Sequence, residues 1–178
     1  MFILYAVLAG SVAGFAFGGS LERLGAVRLR WVPLALAGLA VQVALFTDAG
    51  WRLAGGLAPT IYVLSTAAVL AVVLANLRLA GLPLVAVGAA SNLVAIVANG
   101  GAMPVDPVAL ASLGLAAGGA TNSVILADPA FRPLTDVFAL PSWLPLANVF
   151  SVGDVLIGAG IAIAVAAAMR PSREAVVR

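Results

Sequence analysis

The chain contains no cysteine, no histidine and no lysine. Without thiols it forms no disulfide and carries no cysteine nucleophile. Without imidazoles it has no His-based acid–base chemistry. Together these absences argue against a buried zinc or haem centre, so neither a metal nor a cofactor is expected. The lack of lysine excludes a lysine nucleophile and a P-loop. Charge is scarce too: charged residues make up 9% of the chain, against about a quarter in soluble domains.

What fills the sequence instead is apolar: 63% of its 178 residues are hydrophobic, and the mean hydropathy is +1.17. This composition excludes an ordinary soluble domain and predicts an all-α, multi-pass membrane protein. The length suits one small helical bundle and leaves no room for an additional soluble domain. A net charge of +2 and a pI near 9.9 would fit a nucleic-acid binder. The arginines, however, sit at the ends of apolar runs, where membrane topology places them, so no nucleic-acid partner is expected.

Five spans are predicted, at about 1–17, 32–46, 58–77, 82–99 and 149–169, in one integral-membrane domain. Arg23, Arg28 and Arg30 lie between the first two, Arg78 between the third and fourth, and Arg170, Arg173 and Arg178 after the fifth. Only Arg52 and Arg132 fall on the other side. The positive-inside rule then predicts an outside N-terminus and a cytoplasmic C-terminus in a bacterial inner membrane. A cleaved signal peptide fits the first run less well, because no basic residue precedes it.

The outer side receives one long connection, about 100–147. A loop of that length is uncommon unless it is functional or partly structured. Val108–Ala117 reads as a short interfacial helix. Pro141–Pro145 reads as a hairpin-like re-entry with Trp143 at headgroup level. Small residues recur every fourth position in three spans: Gly10, Gly14 and Gly18; Ser91, Ala95 and Asn99; Gly158, Ala162 and Ala166. Such stripes serve close helix packing, with a slot for a lipid tail as the alternative.

Polar residues inside these runs are the sharpest signal. An ionisable side chain in hydrocarbon costs roughly 2.5–3.5 kcal/mol, and Asp154 is the one acid inside a span. Asn92 and Asn99, seven apart, share a helix face. Asn148, Ser151 and Asp154 drift down one side of the fifth span. The predicted topology brings Asn99, Asp154 and Gln42 to similar depth in the outer leaflet. The expected polar site is therefore Asp154 with Asn99, supported by Gln42, Asn92, Asn148 and Ser151. For Asn92 and Gln42 the simpler reading is interhelical hydrogen bonding. For Ser151 and Asp154 it is helix capping.

Two strings punctuate the chain: Asn99-Gly100-Gly101-Ala102-Met103-Pro104, and Phe150-Ser151-Val152-Gly153-Asp154. With Leu134-Thr135-Asp136 and Leu140-Pro141 between them, they resemble an uncharacterised family of small bacterial integral membrane proteins, a domain of unknown function. That resemblance covers mainly the second half and implies architecture rather than activity. Asn148–Gly158 and Gly88–Asn92 are also similar to segments of lipoprotein signal peptidases. Those are intramembrane aspartyl proteases, whose chemistry needs two carboxylates sharing a proton. The position their first aspartate implies is Ala95 here, which leaves Asp136 or Asp106 as the only routes to a second acid.

Four functional classes follow. The leading one is a non-enzymatic protein binding a lipid or small amphiphile at the outer-leaflet polar site. The others are an enzyme acting on a lipid-linked substrate, a small transporter, and an accessory subunit of a larger membrane complex. A helix–helix partner or homo-oligomer is left open by the small-residue stripes.

Overall fold

The computed structural model describes residues 2–115 and 123–170. Along these run α1 (Phe2–Ala16), α2 (Leu21–Gly25), α3 (Val32–Leu45), α4 (Asp48–Ala54), α5 (Ala58–Ala75), α6 (Leu82–Ala98), α7 (Pro107–Ala111) and α8 (Val152–Met169). Each predicted span is helical over most of its length. Two stretches, Asp48–Ala75 and Val152–Met169, are long and apolar enough to cross a membrane; α1, α3 and α6 are apolar but shorter.

The local chemistry explains the boundaries. Pro33, Pro59 and Pro83 sit in the first turns of α3, α5 and α6, where a missing N–H costs nothing and the fixed φ suits a helix. At the end of α6, Gly100 N donates to Val97 O (3.4 Å) and Gly101 N to Ile96 O (2.8 Å). This is a Schellman closure, and both glycines have positive φ. The fifth predicted span opens three residues late, at Val152, because 149–150 joins a hairpin.

The long helices pack in the order α1–α8–α6–α5–α3. Glycine permits the closest approaches: a Cβ on Gly10 would overlap the Ala162 backbone, one on Gly81 the Gly160 backbone, and one on Gly88 the Gly153 backbone. Pairing of Gly10 with Ala162 and of Gly14 with Met169 makes α1 and α8 parallel. α6 and α8 are antiparallel, as are α3 and α5. One end of the bundle therefore carries Arg23, Arg28, Arg30, Arg78 and Arg170. The other carries α4, the described residues of 99–151 and the start of α1.

Buried apolar side chains form two small clusters, Ala95–Ile96–Met103 and Val105–Leu110–Val149. Large apolar side chains face outward instead: Leu8, Val12 and Phe15 of α1, Leu36 and Val43 of α3, Leu64 and Leu74 of α5. Helices apolar on all sides belong in a large core or in lipid.

The described parts of the 99–151 connection fold into a cap. β1 (Met103–Pro104) pairs in parallel with β2 (Ser123–Val124), and Val105 bridges Asp136 in parallel. β3 (Phe138–Ala139) pairs antiparallel with β4 (Val149–Phe150), stacking Phe138 on Phe150 at 5.5 Å. The predicted interfacial helix shrinks to α7 and a turn through Gly114; residues 116 and 117 lie outside the described residues. Pro141–Pro145 lies in the connection between β3 and β4. Trp143 is 79% exposed there, and the Tyr5 hydroxyl of α1 donates to the Pro145 carbonyl.

Candidate functional site

Asn92, Ser151 and Asp154 meet where α8 starts against α6. Ser151 is the N-cap of α8, and Asp154 closes a capping box with it. Asp154 N donates to Ser151 Oγ (3.1 Å), and Ser151 N donates to Asp154 Oδ2 (2.9 Å). Asn92 Nδ2 donates to Asp154 Oδ1 (2.9 Å) across the helix interface. The Ser151 hydroxyl stands between two acceptors, Asn92 Oδ1 at 2.8 Å and Asp154 Oδ2 at 3.0 Å. Its single proton serves one at a time. Gly153 makes the arrangement possible, because a Cβ there would overlap the Asn92 carboxamide. Both oxygens of the Asp154 carboxylate are thus engaged, and Ser151 is completely buried.

The other expected members of the site lie elsewhere. Gln42 Nε2 donates to Thr66 Oγ1 (3.2 Å) within the α3–α5 pair, and α3 packs at the far end of the helix row from α8. Similar depth did not make these groups neighbours. Asn99 faces the cap: its Nδ2 donates to Ala95 O (2.7 Å) and Ala130 O (2.9 Å), and its Oδ1 accepts from Ala130 N (2.9 Å). Asn148 turns onto its own strand, accepting from Val149 N (2.9 Å). Asn99 and Asn148 organise the cap rather than Asp154.

Asp136 is the group the sequence reading undervalued. Among the described residues none donates to its buried Oδ1, although its backbone is tied on both sides. Asp136 N donates to Pro104 O (3.0 Å), and Asp136 O accepts from Asp106 N (2.9 Å). Burial, together with the negative charge of Asp154, pushes its carboxyl up to about 7. Asp106 behaves oppositely. As the N-cap of α7 it accepts from Val108 N (2.8 Å) and Ala109 N (3.2 Å) and pairs with Arg132 at 3.3 Å. Those backbone N–H groups hold its carboxyl below the usual range.

An apolar groove runs beside this cluster, between α5 and α6 under the cap. It encloses about 480 Å³ and is lined by Leu70, Ala90, Leu93, Val94, Val97 and Phe131. A second hollow of about 240 Å³ adjoins it across Val97, against Pro59, Val63 and Gly101. Phe131 lines the cap end, in the left-handed region (φ 53°), and precedes a 3₁₀ turn at Arg132–Leu134. No sequence signal marked this groove, because its lining is indistinguishable in sequence from the outward-facing apolar residues of the same helices.

A helical bundle of this composition, with a folded cap over one end, defines a class of small apolar proteins rather than an activity. The chain belongs to the DUF5317 family, a family of unknown function, over residues 26–166. No curated protein and no solved structure matches it.

Proposed function

We propose that this protein is a five-span bacterial inner-membrane protein that binds an amphiphile, with the apolar tail in the α5–α6 groove and the polar end at the cap. The observation that carries this reading is the groove itself. Its volume falls within the roughly 300–1,000 Å³ of ordinary ligand sites, and all of its lining residues are apolar. It opens sideways between two helices whose outward faces are apolar, so an acyl chain enters it from the bilayer. Arg132 follows Phe131, and its guanidinium, 70% exposed and paired with Asp106 at 3.3 Å, sets a charged pair near the polar end.

In this reading the Asn92–Ser151–Asp154 cluster is the lock that holds α8 and the cap in place. A carboxylate whose oxygens already accept from Asn92 and Ser151 is engaged rather than waiting for a ligand. The enzyme reading draws on one observation, the electrostatic coupling of Asp136 to Asp154. Against it, Ala95, where the signal-peptidase likeness asks for an aspartate, is fully buried in an apolar cluster.

The test is photo-cross-linking with a diazirine-bearing phospholipid in phosphatidylcholine vesicles. Cross-links should concentrate on the groove-facing residues of α5 and α6, and Ala90→Phe should reduce them several-fold. Labelling spread evenly over all lipid-facing helices and unchanged by Ala90→Phe would refute the reading.

A further inference from the structure

The arginine end of the bundle holds fixed geometry that membrane topology alone does not require. Asn76 ends α5 and is buried, 6% exposed. Its Nδ2 donates to Val72 O (2.7 Å) and to Arg30 O (3.1 Å), and its Oδ1 accepts from Arg30 N (2.8 Å). A buried amide in apolar surroundings is costly unless its groups are bonded. Here both main-chain groups of one loop residue, Arg30, supply the bonds that Val72 does not. The segment before α3 is thereby clamped to the end of α5. Arg78 lies two residues beyond Asn76, in the turn closed by Leu79 N donating to Asn76 O (3.0 Å). The clamp therefore sets two arginine-bearing loops side by side.

The charge gathered there is unbalanced. Arg28, Arg30 and Arg78 are exposed, and among the described residues none of them pairs with a carboxylate. Arg23 and Arg170 are engaged locally. Arg23 Nη1 donates to Gly18 O (3.4 Å) and Met169 O (3.5 Å), and Arg170 stands over the Phe17 ring at 4.6 Å. Trp31 follows Arg30 in left-handed backbone (φ 61°), a region that a bulky residue adopts only where its surroundings hold it. Its side is 54% exposed, with the Arg30 guanidinium 5.9 Å from the ring centroid. An exposed indole beside a guanidinium, at the end of apolar helices, suits the headgroup level of a bilayer.

We propose that Arg30 and Arg78, set side by side by Asn76, bind the phosphate of an anionic phospholipid, with Trp31 beside it at headgroup level. Guanidinium groups fit phosphate oxygens and are weakly hydrated, so they give up little on leaving water. Basic pockets between helix ends on the cytoplasmic side recognise acidic headgroups in this way. Asn76 is a positioning residue, which acts through Arg30. The site lies at the end of the bundle opposite the cap. It rests on the membrane-spanning reading and is independent of what the α5–α6 groove receives. A topological role is met by arginines anywhere at this end, whereas a headgroup site needs these two.

The chain has three tryptophans. Trp51 lies in α4 and Trp143 in the cap, both at the other end, so Trp51→Phe with Trp143→Phe leaves Trp31 as the single emitter. In vesicles of phosphatidylglycerol and phosphatidylcholine, bromine on the acyl chains of one lipid or the other quenches Trp31 according to that lipid's occupancy beside it. Quenching should favour phosphatidylglycerol several-fold. Arg30→Gln with Arg78→Gln should bring the two lipids close to parity, and Arg170→Gln should leave the preference in place. Asn76→Ala keeps every charge and should still lower the preference; an unchanged value would overturn the positioning role. Equal quenching by both lipids in the single-tryptophan protein overturns the site. So does a preference lowered as much by Arg170→Gln as by Arg30→Gln, which is diffuse surface charge. Inorganic phosphate added at constant ionic strength separates the two sources of the anion. A preference that survives it supports the lipid, and one abolished by it assigns the arginines to a soluble phosphate and overturns the lipid. Quenching by neither lipid would remove the membrane-spanning reading and the site with it.

Discussion

At the scale of single residues, the F-S-x-G-D string is one device in which each polar position has a partner. Ser151 caps, Asp154 closes the box and reaches α6, and Gly153 leaves room for the Asn92 carboxamide that Asp154 binds. Gly153→Ala should therefore destabilise the fold by about 1–3 kcal/mol through overpacking. Asn92→Ala should cost a comparable ~1–3 kcal/mol, by leaving Asp154 Oδ1 unpaired. The two changes share a cause, so the double variant should lose less than their sum, with a coupling of roughly 0.5–3 kcal/mol. Denaturation midpoints of the four proteins in detergent measure it. Strict additivity would mean that Gly88 O, 2.8 Å from the same virtual Cβ, rather than Asn92, sets the limit. Asn92 and Asp154 were legible in the sequence because polar groups in apolar runs are costly and few. The separation of Gln42 from them was not, since depth along a helix says nothing about which helix stands beside it.

At the scale of elements, the N-G-G-x-M-P string converts a helix end into the first strand of the cap. Gly100 and Gly101 both take positive φ, 76° and 88°, but their surroundings differ. A side chain on Gly100 meets open space, whereas one on Gly101 meets Pro59 at the start of α5. Gly100→Ala should cost only the left-handed penalty, about 1–2 kcal/mol. Gly101→Ala should cost more, and it should displace α5 at the hollow beside the groove. Thermal unfolding ranks the pair, and equal losses would show that Pro59 yields freely. Helix existence was readable here from long apolar runs ended by Asn-Gly-Gly and opened by Pro33, Pro59 and Pro83. The strands were not. Each is two residues long, too short for an alternating pattern, and β1 pairs across a long stretch of chain. Asp136 was visible as a loop acid that could reach Asp154, but its place was not: only the bridge to Val105 shows that it lies beside the end of β1.

At the scale of the whole molecule, charge and packing point the same way. Helix directions in the row gather Arg23, Arg28, Arg30, Arg78 and Arg170 at one end, with Glu22 as the acid among the described residues there. The capped end holds Asp48, Asp106, Asp128 and Asp136 against Arg52 and Arg132. Helices apolar on every side also carry no record of their neighbours, which is why the order α1–α8–α6–α5–α3 could not be read from periodicity. The polarity of the bundle can be tested directly. The arginine end should face the cytoplasm, which puts the cap and its groove mouth outside. A cysteine at Val108, 76% exposed on the cap, should then react with an impermeant maleimide on intact cells. One at Leu29, 47% exposed at the arginine end, should react only after permeabilisation. The reverse pattern would invert the bundle and place the cap in the cytoplasm, where an amphiphile would come from the inner leaflet. Reaction of both sites on intact cells would break the link between helix direction and membrane crossing. The pair of labels thus tests the five-span reading and fixes which leaflet the groove meets.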